Sequence, residues 1–192
     1  MELSRELMGG SLLKLFHGFE DVRFHHNATL GYTAIIAVHS TVLGPSLGGC
    51  RRMPYRSLWE AFFDVSRLAR GMTYKAALAG LPLGGGKCVM IPRKHSKRLR
   101  AQQFRDLGSV VASMGGVYIS AEDVGTTVAD IDEMATTTSL VCGNMPDHPH
   151  HGNPSPFTAE GVLYGMLGAL RAQNGPNAVL ANRSVYVEGL GK

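Results

Sequence analysis

Two lysines, in Gly71-Met-Thr-Tyr-Lys75 and Gly84-Gly-Gly-Lys87, carry the clearest chemical signal in the chain. They stand 12 positions apart, and the stretch between them (Ala76, Ala77, Leu78, Ala79, Gly80, Leu81, Pro82, Leu83) is apolar and small. Lysines in such a setting are expected to be withheld from bulk water. Burial disfavours the ammonium and lowers its pKa, which turns a lysine into a usable base near neutral pH. A pair of them fits a site with two tasks: one cation to hold an anionic substrate and one amine to move protons.

Other residues offer chemistry with a plainer reading beside it. Gly84-Gly-Gly-Lys87 invites a phosphate loop, but that motif needs glycine at position 81 and Ser or Thr after the lysine. Leu81 and Cys88 stand there instead. The glycines still allow close backbone approach before a lysine, or simply make a tight turn into a strand. Asp123 follows a strand-like segment, where α/β folds place ligand crevices. It equally suits a helix N-cap, with Thr126 and Thr127 following, and taken alone the cap stands first. Asp147-His-Pro-His-His151 has the residue types of a metal site without a familiar ligand spacing, and an exposed proline-constrained loop accounts for it better. Gly189-Leu-Gly191 opens a dinucleotide fingerprint whose third glycine and helix are not in the chain.

The elements that must position these groups alternate. Tyr32–His39 reads as a strand, and Leu43–Gly49 as a glycine-rich turn or broken strand. Ser57-Leu-Trp-Glu60 is a capping box that opens a helix with an apolar stripe at Ala61, Phe62, Val65, Leu68 and Ala69, continuing towards Lys75. Gly84-Gly-Gly breaks the chain, and Lys87–Ile91 is a short buried strand. A helix follows over Leu99–Met114, a strand over Val117–Ala121, a short helix over Val128–Thr136, loop from Gly143 to Pro156, a helix from Thr158 to about Arg171, and a strand beginning at Ser184. Strands alternating with helices argue for an α/β fold, a mixed sheet flanked by helices.

Composition narrows the classes. A chain of 192 residues with 44% hydrophobic residues can bury one sizeable core. The net charge of +4 is mild, and the basic run Arg93–Arg100 reads as a solvated loop entering a helix; no nucleic-acid motif accompanies it. No segment reaches the roughly 18 apolar residues that span a bilayer, so no membrane partner is expected. Three cysteines without metal or redox spacing, and no signal peptide, point to the reducing cytoplasm.

Six motifs then occur in order: Leu43-Gly-Pro-Ser-Leu-Gly-Gly-Cys-Arg51, Leu68-Ala-Arg-Gly-Met-Thr-Tyr-Lys75, Leu83-Gly-Gly-Gly-Lys87, Ala121-Glu-Asp-Val-Gly-Thr126, Gly152-Asn-Pro-Ser-Pro-Phe-Thr158 and Val187-Glu-Gly-Leu-Gly191. Together they resemble the glutamate/leucine/phenylalanine/valine dehydrogenase family, and its leucine dehydrogenase branch most. The resemblance implies a substrate-binding and oligomerisation domain over 1–152, a connecting helix region over 153–183, and over 184–192 the first strand of a dinucleotide-binding Rossmann domain cut short. It implies NAD as cofactor, with NADP open, a small L-amino acid as substrate, and a homo-oligomer.

By the same resemblance, Lys75 would bind the substrate α-carboxylate. Lys87 would activate a water, and Asp123 would exchange protons with the substrate amine. Gly48 would offer a backbone contact, and Met72 would line the site. Leu47 and Ala121 would shape a pocket suited to branched aliphatic side chains. Thr158 would lie beside the nicotinamide, and Gly189 and Gly191 in the dinucleotide turn. Departures are Cys50, where a smaller residue is usual, the histidine-rich loop at 147–151, and a length roughly half the family's. The chain by itself is therefore expected to bind dinucleotide poorly and to show negligible turnover; a non-catalytic assembly module is the other reading.

Overall fold

The computed structural model describes residues 17–93, 97–143, 152 and 154–189. Six strands form one sheet: β1 (Asp21–Asn27), β2 (Tyr32–Ser40), β3 (Ser46–Arg52), β4 (Gly84–Pro92), β5 (Tyr118–Glu122) and β6 (Val141–Cys142), in the order β1-β2-β4-β3-β5-β6. β1, β2 and β4 pair antiparallel, whereas β4, β3, β5 and β6 pair parallel. The helices are α1 (Leu58–Leu78), α2 (Arg100–Ala112), α3 (Val128–Ala135) and α4 (Ser155–Asn174).

Side-chain alternation along β2 and β4 divides the core into two layers. Tyr32, Ala34, Ile36, Val38, Cys88 and Met90 meet Phe104, Leu107 and Val111 of α2 and Ile131 and Met134 of α3. On the other face Ile35, Ala37 and Val89 meet Ala61, Phe62, Val65 and Ala69 of α1. A strand covered on both faces loses the apolar/polar alternation, and Gly84 to Met90 of β4 are buried without a break.

The glycines before Lys87 do not break the chain; they are the first residues of β4. A tight turn would be free of close neighbours on the sheet. Instead, a Cβ at Gly85 would sit 2.1 Å from the Thr73 amide nitrogen, so the missing side chain lets α1 lie directly on the strand. Likewise Leu43–Gly49 is half turn and half strand, because β3 begins at Ser46. The capping box at Ser57 forms with one altered arm. Ser57 Oγ accepts from the Glu60 amide at 3.1 Å, while Glu60 Oε2 accepts from the amide of Arg56, not of Ser57, at 2.7 Å.

Strands β1 and β6 escape the apolar pattern. β1 (DVRFHHN) pairs with β2 along its whole length, and polar anchors add to this: Asp106 of α2 accepts from His25 Nε2 at 2.8 Å and from Asn27 Nδ2 at 3.1 Å of β1, and from Tyr32 Oη of β2. The basic run also turns inward at its end, where Arg100 donates to both oxygens of Asp130 and to the Gly125 carbonyl. The strand expected over 184–188 is not formed. A strand needs a neighbour to take its hydrogen bonds, and Val185, Tyr186 and Val187 lie exposed and unpaired with any strand among the described residues.

Four partnered carboxylates give the fold an acid limit. Burial pushes Asp64, Asp106, Asp123 and Asp130 up, but their hydrogen bonds and cationic neighbours outweigh it and hold all four below the ordinary carboxylate value. A depressed folded-state value contributes stability that is complete above the unfolded carboxylate range, about pH 4, and is lost as pH falls through the folded values. Melting temperatures measured by circular dichroism should therefore stay level from about pH 7 to 5 and fall steeply below about pH 4.

Candidate active site

The register of the parallel strands sets out the site in rows. Leu47 lies beside Gly85 and Ile119, Gly49 beside Ala121, and Arg51 beside Val89. Period-two alternation puts Leu47, Gly49, Arg51, Lys87, Ile119, Ala121 and, just past β5, Asp123 on the face that carries α1. That helix packs over β2 and β4. Over β3 and β5 the same face is less covered, and Leu47, Ile119 and Ala121 are only half-buried.

Lys87 is 5% exposed and donates through Nζ to Asp123 Oδ2 at 3.0 Å. The two side chains come from β4 and from the end of β5, with β3 between them. Gly49 makes the meeting possible: a Cβ there would lie 2.8 Å from Asp123 Cβ and 2.5 Å from the Glu122 carbonyl oxygen. Arg51 Nε donates to the same Asp123 Oδ2 at 3.0 Å. Burial pushes the Asp123 carboxyl up, but the Lys87 ammonium and then the Arg51 guanidinium more than offset it, so the group is held as a carboxylate below its usual range.

Asp123 is not the cap of the helix that follows. Thr127 is, with its amide donating to Asp130 Oδ2 at 2.7 Å. The Asp123 amide donates to Thr126 Oγ1 at 2.8 Å, and this closes the turn that aims the carboxylate back over the sheet. The residues present can thus bring a buried ammonium and an ionised carboxylate together beside an apolar floor.

The remaining expected residues fall as follows. Gly48 is buried against the Gly86–Lys87 backbone, and its carbonyl accepts from Tyr118 Oη. Met72 is half-buried on α1. Lys75, in the last turn of α1, is exposed, which corrects the expectation that both lysines are buried. A helix packs one face only, and α1 buries the stripe from Ala61 to Ala76, leaving Lys75 at its edge. Thr158 is on α4, which buries none of its residues, and its hydroxyl donates to the Pro154 carbonyl at 3.0 Å. Gly189 has a left-handed φ of 77°, whereas Gly191 and the loop at 147–151 lie outside the described residues. No group of three or more His, Cys, Asp or Glu suits a metal among the described residues, and none of the helices there is long and apolar enough to cross a membrane.

Residues 19–140 match the family model described as Glu/Leu/Phe/Val dehydrogenase, dimerisation domain. The chain belongs to this dehydrogenase family. Among its relatives, the leucine dehydrogenase of Geobacillus stearothermophilus is 48% identical over 177 residues, covering 91% of this chain and 47% of that one. The valine dehydrogenase of Streptomyces virginiae is 42% identical over 192 residues, covering 97% of this chain and 53% of that one. The crystal structure of L-tryptophan dehydrogenase from Nostoc punctiforme superposes with a TM-score of 0.69 at 35% identity, covering 86% and 46% of the two chains. The chain spans about half the length of the relatives it matches.

Such a dehydrogenase fold implies a nicotinamide dinucleotide. The described residues do not form a cradle for one: the Thr158 hydroxyl is already engaged, and the segment leading to Gly189 is exposed and unpaired. Two site residues carried no assigned role in the sequence. Ile119 was detectable, since alternation along β5 places it with Ala121 and Asp123. Arg51 ends one of the six motifs, but nothing local shows that it reaches a carboxylate 72 residues away.

Proposed function

We propose that this chain is the substrate-side half of an NAD-dependent L-amino-acid dehydrogenase that converts a branched aliphatic amino acid to its 2-oxo acid and ammonia. NADP is the alternative cofactor. The observation that carries this reading is the Lys87–Asp123 pair, a buried lysine on a half-buried carboxylate, on a sheet face whose next residues are the apolar Leu47 and Ala121. Oxidative deamination needs a held carboxylate, hydride loss from Cα, water addition to the resulting imine and departure of ammonia. Lys75 takes the first task as an exposed cation at the rim. Lys87 lies against Asp123, to which one ammonium proton can pass; the amine so formed can take a proton from the attacking water, and Asp123 can pass that proton on to the substrate amine. Leu47, Ile119 and Ala121 supply the floor for a branched side chain. A nicotinamide, when bound, would supply the hydride acceptor.

Assembly into a homo-oligomer belongs to the same reading, supported by the description of the matched family domain and by β1 at the edge of the sheet among the described residues. The test is to join residues 1–192 to the remaining half of the Geobacillus stearothermophilus leucine dehydrogenase. The joined protein should form NADH from L-leucine, and the 192-residue chain alone should not. A folded joined protein that forms no NADH from leucine or valine would refute the proposal.

A further inference from the structure

Arg51 does something for this site that a packing role leaves unexplained. Its side chain is 20% exposed and spans two carboxylates from different elements. Nε donates to Asp123 Oδ2 at 3.0 Å, and Nη1 donates to Asp64 Oδ2 on α1 at 2.9 Å. Asp64 is itself held: Tyr55 Oη donates to Oδ2 at 2.8 Å and Arg67 Nη2 to Oδ1 at 3.1 Å. The chain of contacts runs from α1 through Asp64 and Arg51 to Asp123 and ends on Lys87. A guanidinium is planar and rigid, so two fixed acceptors determine its orientation and, through Nε, that of the carboxylate it touches. Arg51 and Lys87 approach one oxygen from two strands, β3 and β4, and this defines the direction in which Asp123 faces the open side of the sheet.

We propose that Arg51 is a positioning residue for Asp123, with Asp64 as its anchor on α1. This rests on the reading that Asp123 meets the substrate amine. Charge and position make opposite predictions for Arg51→Gln. By charge alone, removing a cation beside the site tightens binding of an ammonium. By position, an unanchored Asp123 binds it more weakly.

The experiment measures affinities of the 192-residue chain for L-leucine and for its 2-oxo acid, which has no amine. Arg51→Gln should weaken L-leucine about tenfold, the usual scale for removing an orienting partner, and leave the 2-oxo acid within about twofold. Asp64→Asn, which keeps the guanidinium and lies one contact further away, should act in the same direction. Arg51→Lys keeps the charge without the fork and should not restore affinity. Unchanged or tighter L-leucine binding, equal loss of both ligands, or full rescue by lysine would overturn the positioning role and leave the functional reading intact.

Where the wild-type half-chain binds neither ligand, the functional reading is decided by the joined protein. Positioning is then decided in the ligand-free protein by side-chain couplings of Asp123. One rotamer in wild type that averages in Arg51→Gln and Asp64→Asn supports it, and one rotamer retained in both variants overturns it.

Discussion

Lys87→Ala in the joined enzyme is expected to lower leucine-dependent NADH formation about a thousandfold, with most of the loss in kcat. A positioned proton acceptor contributes roughly a hundredfold to ten-thousandfold, and Lys87 is the one lysine in contact with Asp123 among the described residues. The fold should survive. Asp123 keeps Arg51 Nε as a partner, so no carboxylate is stranded, and the loss is chiefly the packing of a lysine stem. Urea unfolding of the 192-residue variant should show about 2 kcal/mol of destabilisation or less. Near-normal turnover would remove Lys87 from the chemistry.

Asp123→Asn is expected to cost both activity and stability. The neutral amide cannot exchange protons with an amine, and turnover should fall about a hundredfold or more. Unlike the lysine variant, it leaves an ammonium that is 5% exposed facing a neutral group. Removing one partner of a buried ion pair costs about 3 kcal/mol or more, because the other charge remains desolvated. Arg51 keeps Asp64 and adds little to this. Parallel urea melts should therefore rank Asp123→Asn below Lys87→Ala in stability, although both lose activity. The opposite ranking would mean that the pair is not held as charged partners.

What could be read in advance follows from where the information lies. Helix α1 declares itself through its apolar stripe and capping box, and β2 and β5 through short apolar runs. β1 does not, because its polar sequence is held by pairing with β2 and by Asp106, some 80 residues away in the chain. The Gly84–Gly86 run suggests a break for sound local reasons, since glycine disfavours strands. Its strand conformation depends on a helix and a second strand that leave no room for side chains, which only the assembled sheet reveals.

The site shows the same division. Lysine, glycine and aspartate types and their order indicate the chemistry, yet Asp123 taken alone reads first as a helix cap. Only the register of β4, β3 and β5, with Gly49 between, puts Asp123 against Lys87. The burial of Lys75 was inferred from its apolar neighbours in sequence. Most of those neighbours are themselves exposed around the end of α1, and Lys75 sits with them at the rim.

The most direct measurement is an amide-resolved NMR titration of the 192-residue chain with L-leucine. Lys75 as the carboxylate holder, with Lys87 and Asp123 at the reacting end, predicts shifts clustered at Gly48, Gly49, Met72, Lys75, Lys87, Ala121 and Asp123. Lys75→Ala should abolish them. Shifts confined to other surfaces, or a response at these residues that survives Lys75→Ala, would contradict that assignment.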